Sequence, residues 1–366
     1  MAKKSDKKSN APAISVIIAL YNTEKYIAQC LESLLAQTMQ DFEVIVADDC
    51  STDNSAKIVA EMAPKFEGRL KLIRLKKNSG FPGLPRNTAM GIARGKYIIF
   101  LDSDDFFKNT ALEEFYIVAE STGAEVIHGE RYFEYYENQN QVILKSFQQG
   151  PYVEQPTLEP EDIGGRIVRF INYRTLWWTC NKLFRRDFLV KNNIQFPHIT
   201  AWEDLVVCFT CLMRAKIYVR VPNVIYYYRI RQGSLSHKGR DAFEMTSNLI
   251  GSMKAMDKVM EKTEFIMKNP AIRYAFVDWY VQGRLKTIRD AAYNYDKLQP
   301  FQINELYRRN FFANNPADQV ALYSYFFTIT TYNQNLLEAK DAEIANLKKQ
   351  IESLQAQISS PAPTEN

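Results

Sequence analysis

Tyr97-Ile98-Ile99-Phe100-Leu101-Asp102-Ser103-Asp104-Asp105 decides the reading of this chain: an apolar run of strand character ends in three carboxylates within four residues. Adjacent carboxylates repel and raise one another's pKa, so a cation is expected beside them. Hard carboxylate oxygens suit Mg²⁺ or Mn²⁺. A second reading makes Asp105 the acidic cap of a helix starting near Asn109. A cap needs one carboxylate, however, and this strand end carries three.

Around that stretch the first hundred residues alternate strand and helix. Residues 14–20 and 42–47 are β-rich and 70–75 form a third strand, while 24–37 place Ile27, Leu31, Leu34 and Leu35 at helical spacing. A polar turn over 48–55 caps a helix over 56–62. The loop 76–85 holds two Gly and two Pro and leads to a helix over 86–93 that Gly95 ends. Strands separated by single helices predict an α/β architecture, a mostly parallel, doubly wound sheet covered on both faces. Ligands of such sheets bind at the carboxyl ends of the strands. Tyr21 and Asn22, Asp48 and Asp49, and Asp102 and Asp104 are therefore expected on one edge.

Beyond a helix and strand over 111–126 the pattern is irregular. Residues 241–332 read as mainly helical, with breaks at Pro270, Pro300 and Pro316. Leu337, Ile344, Ile351 and Ile358 then repeat every seven residues, with Leu347 and Leu354 at d positions. Ile at a with Leu at d predicts a parallel two-stranded coiled coil, and hence a homo-oligomer, with Glu343 and Lys348 pairing across it. A single amphipathic helix docked on its own domain is the alternative, which the poor d residue Lys340 favours. The expected organisation is a basic disordered tail at 1–13, a main domain at 14–236, a helical region at 237–335, a coiled coil at 336–358 and a disordered tail at 359–366.

Composition narrows the class. With 46 Lys and Arg against 42 Asp and Glu, the net charge of +4 makes no electrostatic case for nucleic acid. Three His make a His-based zinc site unattractive, and the CxxC at Cys208 and Cys211 lies in an apolar helical run, as buried thiols would. The 21 Tyr and 22 Phe serve core packing first, with base or sugar stacking as a further use. No apolar core of signal-peptide type follows the polar first ten residues, and no apolar run reaches the ~20 residues of a membrane span. A cytoplasmic location is expected. Lys3, Lys4, Lys7 and Lys8 allow peripheral contact with the inner face of the cytoplasmic membrane.

Six segments in register resemble one family: Ser15 to Asn22, Val46 to Asp53, Asn78-Ser79-Gly80, Arg86-Asn87, Gly95 to Asp105, and Trp202-Glu203-Asp204. Their order and spacing are similar to those of the family 2 inverting nucleotide-sugar glycosyltransferases, which have the GT-A fold, over roughly 14–236. Two departures stand out. Ala19 occupies a position where the family commonly has Pro or Thr. Arg231 falls near the place of a histidine that closes the metal site in many relatives, and His237 is the candidate substitute.

The resemblance implies transfer of a hexosyl or N-acetylhexosaminyl group from a nucleoside diphosphate sugar, a UDP-sugar by preference. The acceptor would be a hydroxyl of a bacterial surface glycan or its lipid-linked precursor. It makes Asp104 the direct ligand of Mn²⁺ or Mg²⁺, with Asp102 contacting ribose, metal or metal-bound water. Asp49 would accept the imide N–H of uracil and Tyr21 would stack on the base. Ala19, Asn22, Glu24, Asn78, Gly80 and Ser103 would line the nucleotide-sugar site. Arg86 is either a counter-charge for the diphosphate or a surface charge at a helix start. Inversion needs a general base; the resemblance gives this role to Asp204, supported by Glu203, although an acidic pair at a helix N-terminus is also favoured by the macrodipole. Asp105, Trp178 and Trp202 are candidate acceptor contacts, with core packing equally open to the two Trp. The competing class is a non-catalytic sugar-nucleotide-binding scaffold, against which the intact Asp102, Asp104 and Asp204 argue. A nucleotidyltransferase would need a Gly-rich basic signature after the first strand, and Tyr21-Asn22-Thr23-Glu24 has none.

Overall fold

The computed structural model describes residues 11–146, 152–172, 177–231 and 242–280 apart from 270, 274, 277 and 278, with single helical positions at 342, 345, 346 and 349. Most of the heptad segment, most of the N-terminal tail, the C-terminal tail, His237 and most of the expected helical region lie outside the described residues. By packing, the chain divides into Met1–Trp279 and Tyr280–Asn366, and the description below concerns the first unit.

The chain begins with β1 (Ile14–Leu20), α1 (Ile27–Leu35), β2 (Phe42–Asp48), α2 (Ser55–Met62), β3 (Leu70–Arg74), α3 (Gly83–Ile92) and β4 (Tyr97–Phe100). It continues through β5 (Phe106–Phe107), α4 (Ala111–Thr122), β6 (Val126–Gly129), β7 (Tyr132–Tyr136), β8 (Gln141–Lys145), β9 (Thr157–Leu158) and α5 (Ile163–Ile171). It then passes through β10 (Lys182–Arg185), α6 (Arg186–Lys191), α7 (Glu203–Arg214), β11 (Tyr218–Val221), β12 (Tyr226–Arg229), α8 (Ala242–Glu261) and α9 (Glu264–Lys268). Strands β1, β2 and β4 are apolar runs buried almost throughout, the signature of parallel strands covered on both faces. They pair in parallel, and the eight-stranded sheet runs β3-β2-β1-β4-β10-β6-β11-β9. The fold class read from the sequence is thus the one observed.

Register fixes the functional edge. Leu20 pairs with Asp48, and the amide of Leu101 donates to the carbonyl of Ile17 at 3.0 Å. The chain therefore leaves β1, β2 and β4 on the same side, bringing Tyr21, Asp49 and Asp102 to one rim. Strand β10 runs antiparallel between β4 and β6, so it enters the sheet at that rim. The residues just before it, Thr179 and Cys180, arrive beside Asp102 for this topological reason.

A second sheet, ordered β5-β12-β7-β8, was not expected from the sequence. Its strands are short and rich in Tyr, and aromatic faces pack within it: Phe106 stacks on Tyr227 at 4.7 Å and Phe133 on Tyr227 at 4.8 Å. Helix starts also shifted. Helix α1 begins at Ile27 rather than at 24, and α3 at Gly83 rather than at 86. Helix α4 begins at Ala111 with Thr110 at its cap position, so Asp105 caps no helix. Cys208 and Cys211 are buried in α7, as free thiols. No helix among the described residues is long and apolar enough to cross a membrane.

Gly95 is required where β4 begins. A Cβ built there would stand 2.4 Å from the Ser15 amide nitrogen and 2.7 Å from the Ile14 carbonyl carbon. The Gly95 amide donates to Ser15 Oγ at 2.8 Å, and that hydroxyl donates to Glu43 Oε1 at 2.7 Å. Backbone atoms cannot swing aside as a flexible side chain can, so a methyl here must displace β1 or β4. Gly95→Ala is expected to lower unfolding free energy by about 1–3 kcal/mol, the usual cost of overpacking. Chemical denaturation checks this, and an unchanged midpoint would refute the close approach.

Candidate active site

The four-residue loop after β4 sorts its carboxylates into different surroundings. Asp105 is buried, accepting from the Tyr226 hydroxyl at 2.5 Å and from the Arg229 amide at 2.8 Å. Burial, then the charges of Asp104 and Asp102, push its carboxyl well above the usual aspartate range. Its two oxygens anchor β12 to the loop, which leaves no surface for an acceptor. Asp104 takes Arg231 Nε on Oδ2 at 2.8 Å, with Nη2 2.7 Å from the same oxygen. Burial and the neighbouring Asp102 raise Asp104, and Arg231 opposes the rise. Asp102, about a third exposed, takes Arg86 on Oδ1 at 2.7 Å and the Cys180 thiol on Oδ2 at 3.2 Å.

Arg86 gathers the site. It is 3% exposed, which removes the surface-charge reading, and its two terminal nitrogens divide between two carboxylates. Nη2 donates to Asp102 and Nη1 to Asp204 Oδ1, each at 2.7 Å, while Glu203 lies 3.6 Å from Nη1. The planar fork suits this bridging in a way that a point charge would not. Phe196 lies under the guanidinium at 5.1 Å. Burial works against the Arg86 charge, but Asp204 and Asp102 outweigh it and hold the group firmly cationic.

Asp204 and Glu203 occupy the first turn of α7, preceded by Trp202 at φ +66°. A left-handed tryptophan is strained; its carbonyl still accepts from the Val206 amide, so the strained turn is the one that launches α7 into the site. Thr179 Oγ1 donates to Asp204 Oδ1 at 3.1 Å. Burial raises the Asp204 pKa, Arg86 opposes this, and Asp102 adds to it. A carboxylate held less acidic than normal is better suited to accept a proton near neutral pH.

On the other side of the rim, Asp49 is held by Ser79, whose amide and Oγ donate to it at 2.9 and 2.8 Å. Asn78 Nδ2 donates to the Asp49 carbonyl, and Gly80, at φ +80°, donates its amide to Asn78 Oδ1. Asn78, Ser79 and Gly80 thus wrap Asp49. Tyr21 is 48% exposed beside them, open for stacking. Asn22 and Glu24 are partly committed elsewhere: Asn22 Oδ1 accepts from the Thr52 amide at 2.8 Å and Glu24 Oε2 from the Asn54 amide at 2.9 Å. They lock the β1–α1 loop to the β2–α2 loop. Ala19 pairs with Ala47 near the ends of β1 and β2, and Ser103 is buried in the loop after β4. Trp178 packs on Tyr132 at 4.8 Å and Tyr228 at 5.2 Å, within an aromatic cluster.

Sequence reasoning passed over Thr179, Cys180, Tyr226 and Arg229. Arg229 is 1% exposed, donates to the Asp104 carbonyl, Glu137 and Gln29, and lies against Tyr26, Phe106 and Tyr135. An arginine inside the Tyr-rich run 226–229 was the available signal, since a strand carries a buried cation only for a carboxylate or carbonyl partner.

Among the described residues no group of three His, Cys, Asp or Glu side chains could hold a metal. Asp102 and Asp104 nevertheless supply hard oxygens, and Asp104, raised by burial and Asp102, is a carboxylate that a nearby cation would stabilise. This donor set fits Mg²⁺ or Mn²⁺ taking most of its ligands from a diphosphate and water. It does not fit a metal held by protein alone.

Comparison with known proteins agrees with this geometry. The model of the family described as Glycosyl transferase family 2 matches residues 15–192. The poly(ribitol-phosphate) beta-glucosyltransferase of Bacillus spizizenii is 34% identical over 224 residues, 60% of this chain and 32% of the relative. The chain therefore spans about a third of that relative's length. Staphylococcus aureus TarS 1–349 in complex with UDP superposes with TM-score 0.56 at 22% identity, over 77% of this chain and 72% of that one. The same protein in complex with UDP-GlcNAc gives 0.54 at 23% identity, over 76% and 83%. At these identities the superpositions establish the fold. The family model and the relative match the part of the chain that forms the GT-A sheet with its carboxylates on one rim, and over residues 15–192 the chain is similar to glycosyl transferase family 2.

Proposed function

We propose that the chain is an inverting glycosyltransferase that moves a sugar from a uridine diphosphate donor to a hydroxyl of a surface glycan or its lipid-linked precursor. One observation carries the reading. A single guanidinium, Arg86, holds the donor-side carboxylate Asp102 and the base candidate Asp204 in one geometry. Relatives that act on poly(ribitol-phosphate), and fold neighbours bound to UDP and UDP-GlcNAc, support both halves of it.

In this reading Tyr21 stacks on uracil and Asp49, preset by Ser79, accepts the imide N–H. Asp102 and Asp104 would hold Mg²⁺ or Mn²⁺, and such an ion would supply Lewis-acid stabilisation of the diphosphate leaving group. The acceptor hydroxyl attacks the anomeric carbon from the face opposite the diphosphate. Asp204 takes the hydroxyl proton as the new C–O bond forms and the bond to the diphosphate oxygen breaks. Glu203 keeps Arg86 charged, and Arg86 keeps Asp204 oriented. The heptad segment 336–358 would join two copies of the chain, and the basic residues near the N-terminus would bring it to an anionic membrane surface.

Asp204→Asn is expected to retain UDP-dependent thermal stabilisation while transfer falls by about 10²–10⁴, the usual worth of a general base. Because the Asp204 pKa is raised and the base acts ionised, the wild-type rate should climb with pH along a limb lying above the ordinary aspartate range. An active Asp204→Asn enzyme moves the base elsewhere. Asp104→Ala should keep the fold by circular dichroism but lose the additional thermal shift that Mn²⁺ gives UDP; a shift equal to wild type would sink the metal assignment. Removing residues 337–366 should halve the mass measured by light scattering, and an unchanged mass would refute the coiled coil.

A further inference from the structure

Three guanidiniums surround the loop after β4, and they are committed to different degrees. Arg229 is 1% exposed, and its Nε, Nη1 and Nη2 each have an acceptor: the Asp104 carbonyl, Glu137 and Gln29. Arg86 spends Nη1 and Nη2 on two carboxylates and is buried as deeply as the core. Arg231 differs. Its side chain is 19% exposed, and its two engaged nitrogens converge on a single oxygen, Asp104 Oδ2, instead of spanning both. Nη1 has no partner among the described residues.

Position adds to this. Arg231 follows β12 directly, and the Ile230 amide donates to the Tyr135 carbonyl, which ties the backbone beside it to β7. Its Cζ lies 5.0 Å over the Tyr26 ring, in the loop that leads from β1 into α1. Arg231 is thus held at the functional rim by Asp104 on one side and an aromatic face on the other, with donor capacity left over. A guanidinium engages a carboxylate most strongly when two N–H groups take two oxygens; one with an unspent donor is ready for a second anion. Phosphate oxygens match that fork geometrically.

We propose that Arg231 is a diphosphate-binding residue of the donor site, held by Asp104 until a nucleoside diphosphate arrives, and that it gives the chain a share of nucleotide affinity independent of metal. The inference rests on the donor reading above. It adds that charge on the leaving group is met by a side chain as well as by a cation, and that Asp104 serves both.

The test is equilibrium binding to the full chain in EDTA, read by ligand-observed NMR, with UDP and uridine as probes. Arg231→Gln is expected to weaken UDP about tenfold, the scale of one charge-assisted hydrogen bond, and to leave uridine unchanged. Arg231→Lys, which keeps charge but loses the fork, should fall between, and it carries the test if the Gln variant does not fold. Equal UDP affinity in wild type and Arg231→Gln would overturn the proposal. So would uridine weakening in step with UDP, which marks a purely structural role, or UDP binding to wild type only with Mn²⁺. A wild type that binds uridine and UDP equally well removes the phosphate contact but leaves the base site standing. One that binds neither overturns the donor reading itself, and the proposal with it.

Discussion

The site depends on a buried cation shared between two carboxylates. Arg86 sits in the first turn of α3, yet its guanidinium is spent on Asp102 from the loop after β4 and Asp204 from α7. Burying any of the three charges alone would be costly; buried together, each makes the others tolerable. Removing the arginine from such a group usually costs about 3–5 kcal/mol, because two carboxylates are left facing one another. The fork therefore does two jobs with one set of bonds. It closes the space between elements more than a hundred residues apart in sequence, and it fixes the distance between the two sides of the site.

The same logic explains how one strand end tolerates three carboxylates. They avoid mutual repulsion by facing different partners: Arg86 and Cys180 for Asp102, Arg231 for Asp104, Tyr226 and the Arg229 amide for Asp105. Only the first two remain partly exposed. Asp105 is a structural carboxylate whose proximity to the others is a by-product of the tight turn, in which its amide donates to the Asp102 carbonyl at 3.0 Å.

What was legible in the sequence follows from which interactions are local. Strands β1, β2 and β4 announce themselves as buried apolar runs, and their shared polarity put Tyr21, Asp49, Asp102 and Asp104 on one rim before any coordinates. The polar loops after them carry short motifs that can be read in order. The sequence was silent where partners come from far away. Arg86 looks like a helix-start charge because nothing near it in the chain shows Asp204, 118 residues on. The second sheet was missed because its strands are two to five residues long, and alternation cannot be read over so short a span. Thr179 and Cys180 carry no motif; they matter only because β10 enters the sheet antiparallel.

Backbone strain marks the rim independently of charge. Six non-glycine residues have positive φ among the described residues. Glu67, Asn140 and Asn193 lie in turns that close a short helix, a hairpin and the end of α6, where a left-handed residue is common. The other three are Asn22, Cys50 and Trp202, which follow β1, follow β2 and precede α7. Asn adopts this conformation at little cost, but Cys and Trp do not, and such residues persist only where surrounding bonds over-determine them. Those bonds are present. The Cys50 thiol donates to the Leu75 carbonyl at 3.0 Å, Ser51 donates its amide to Asp48, and Asp204 behind Trp202 is gripped by Arg86 and Thr179. The strained turns sit where the chain must stop being strand, or start being helix, within two residues of the group it presents. The fold thus holds Asp49 and Asp204 in place through backbone that would relax if their partners were removed.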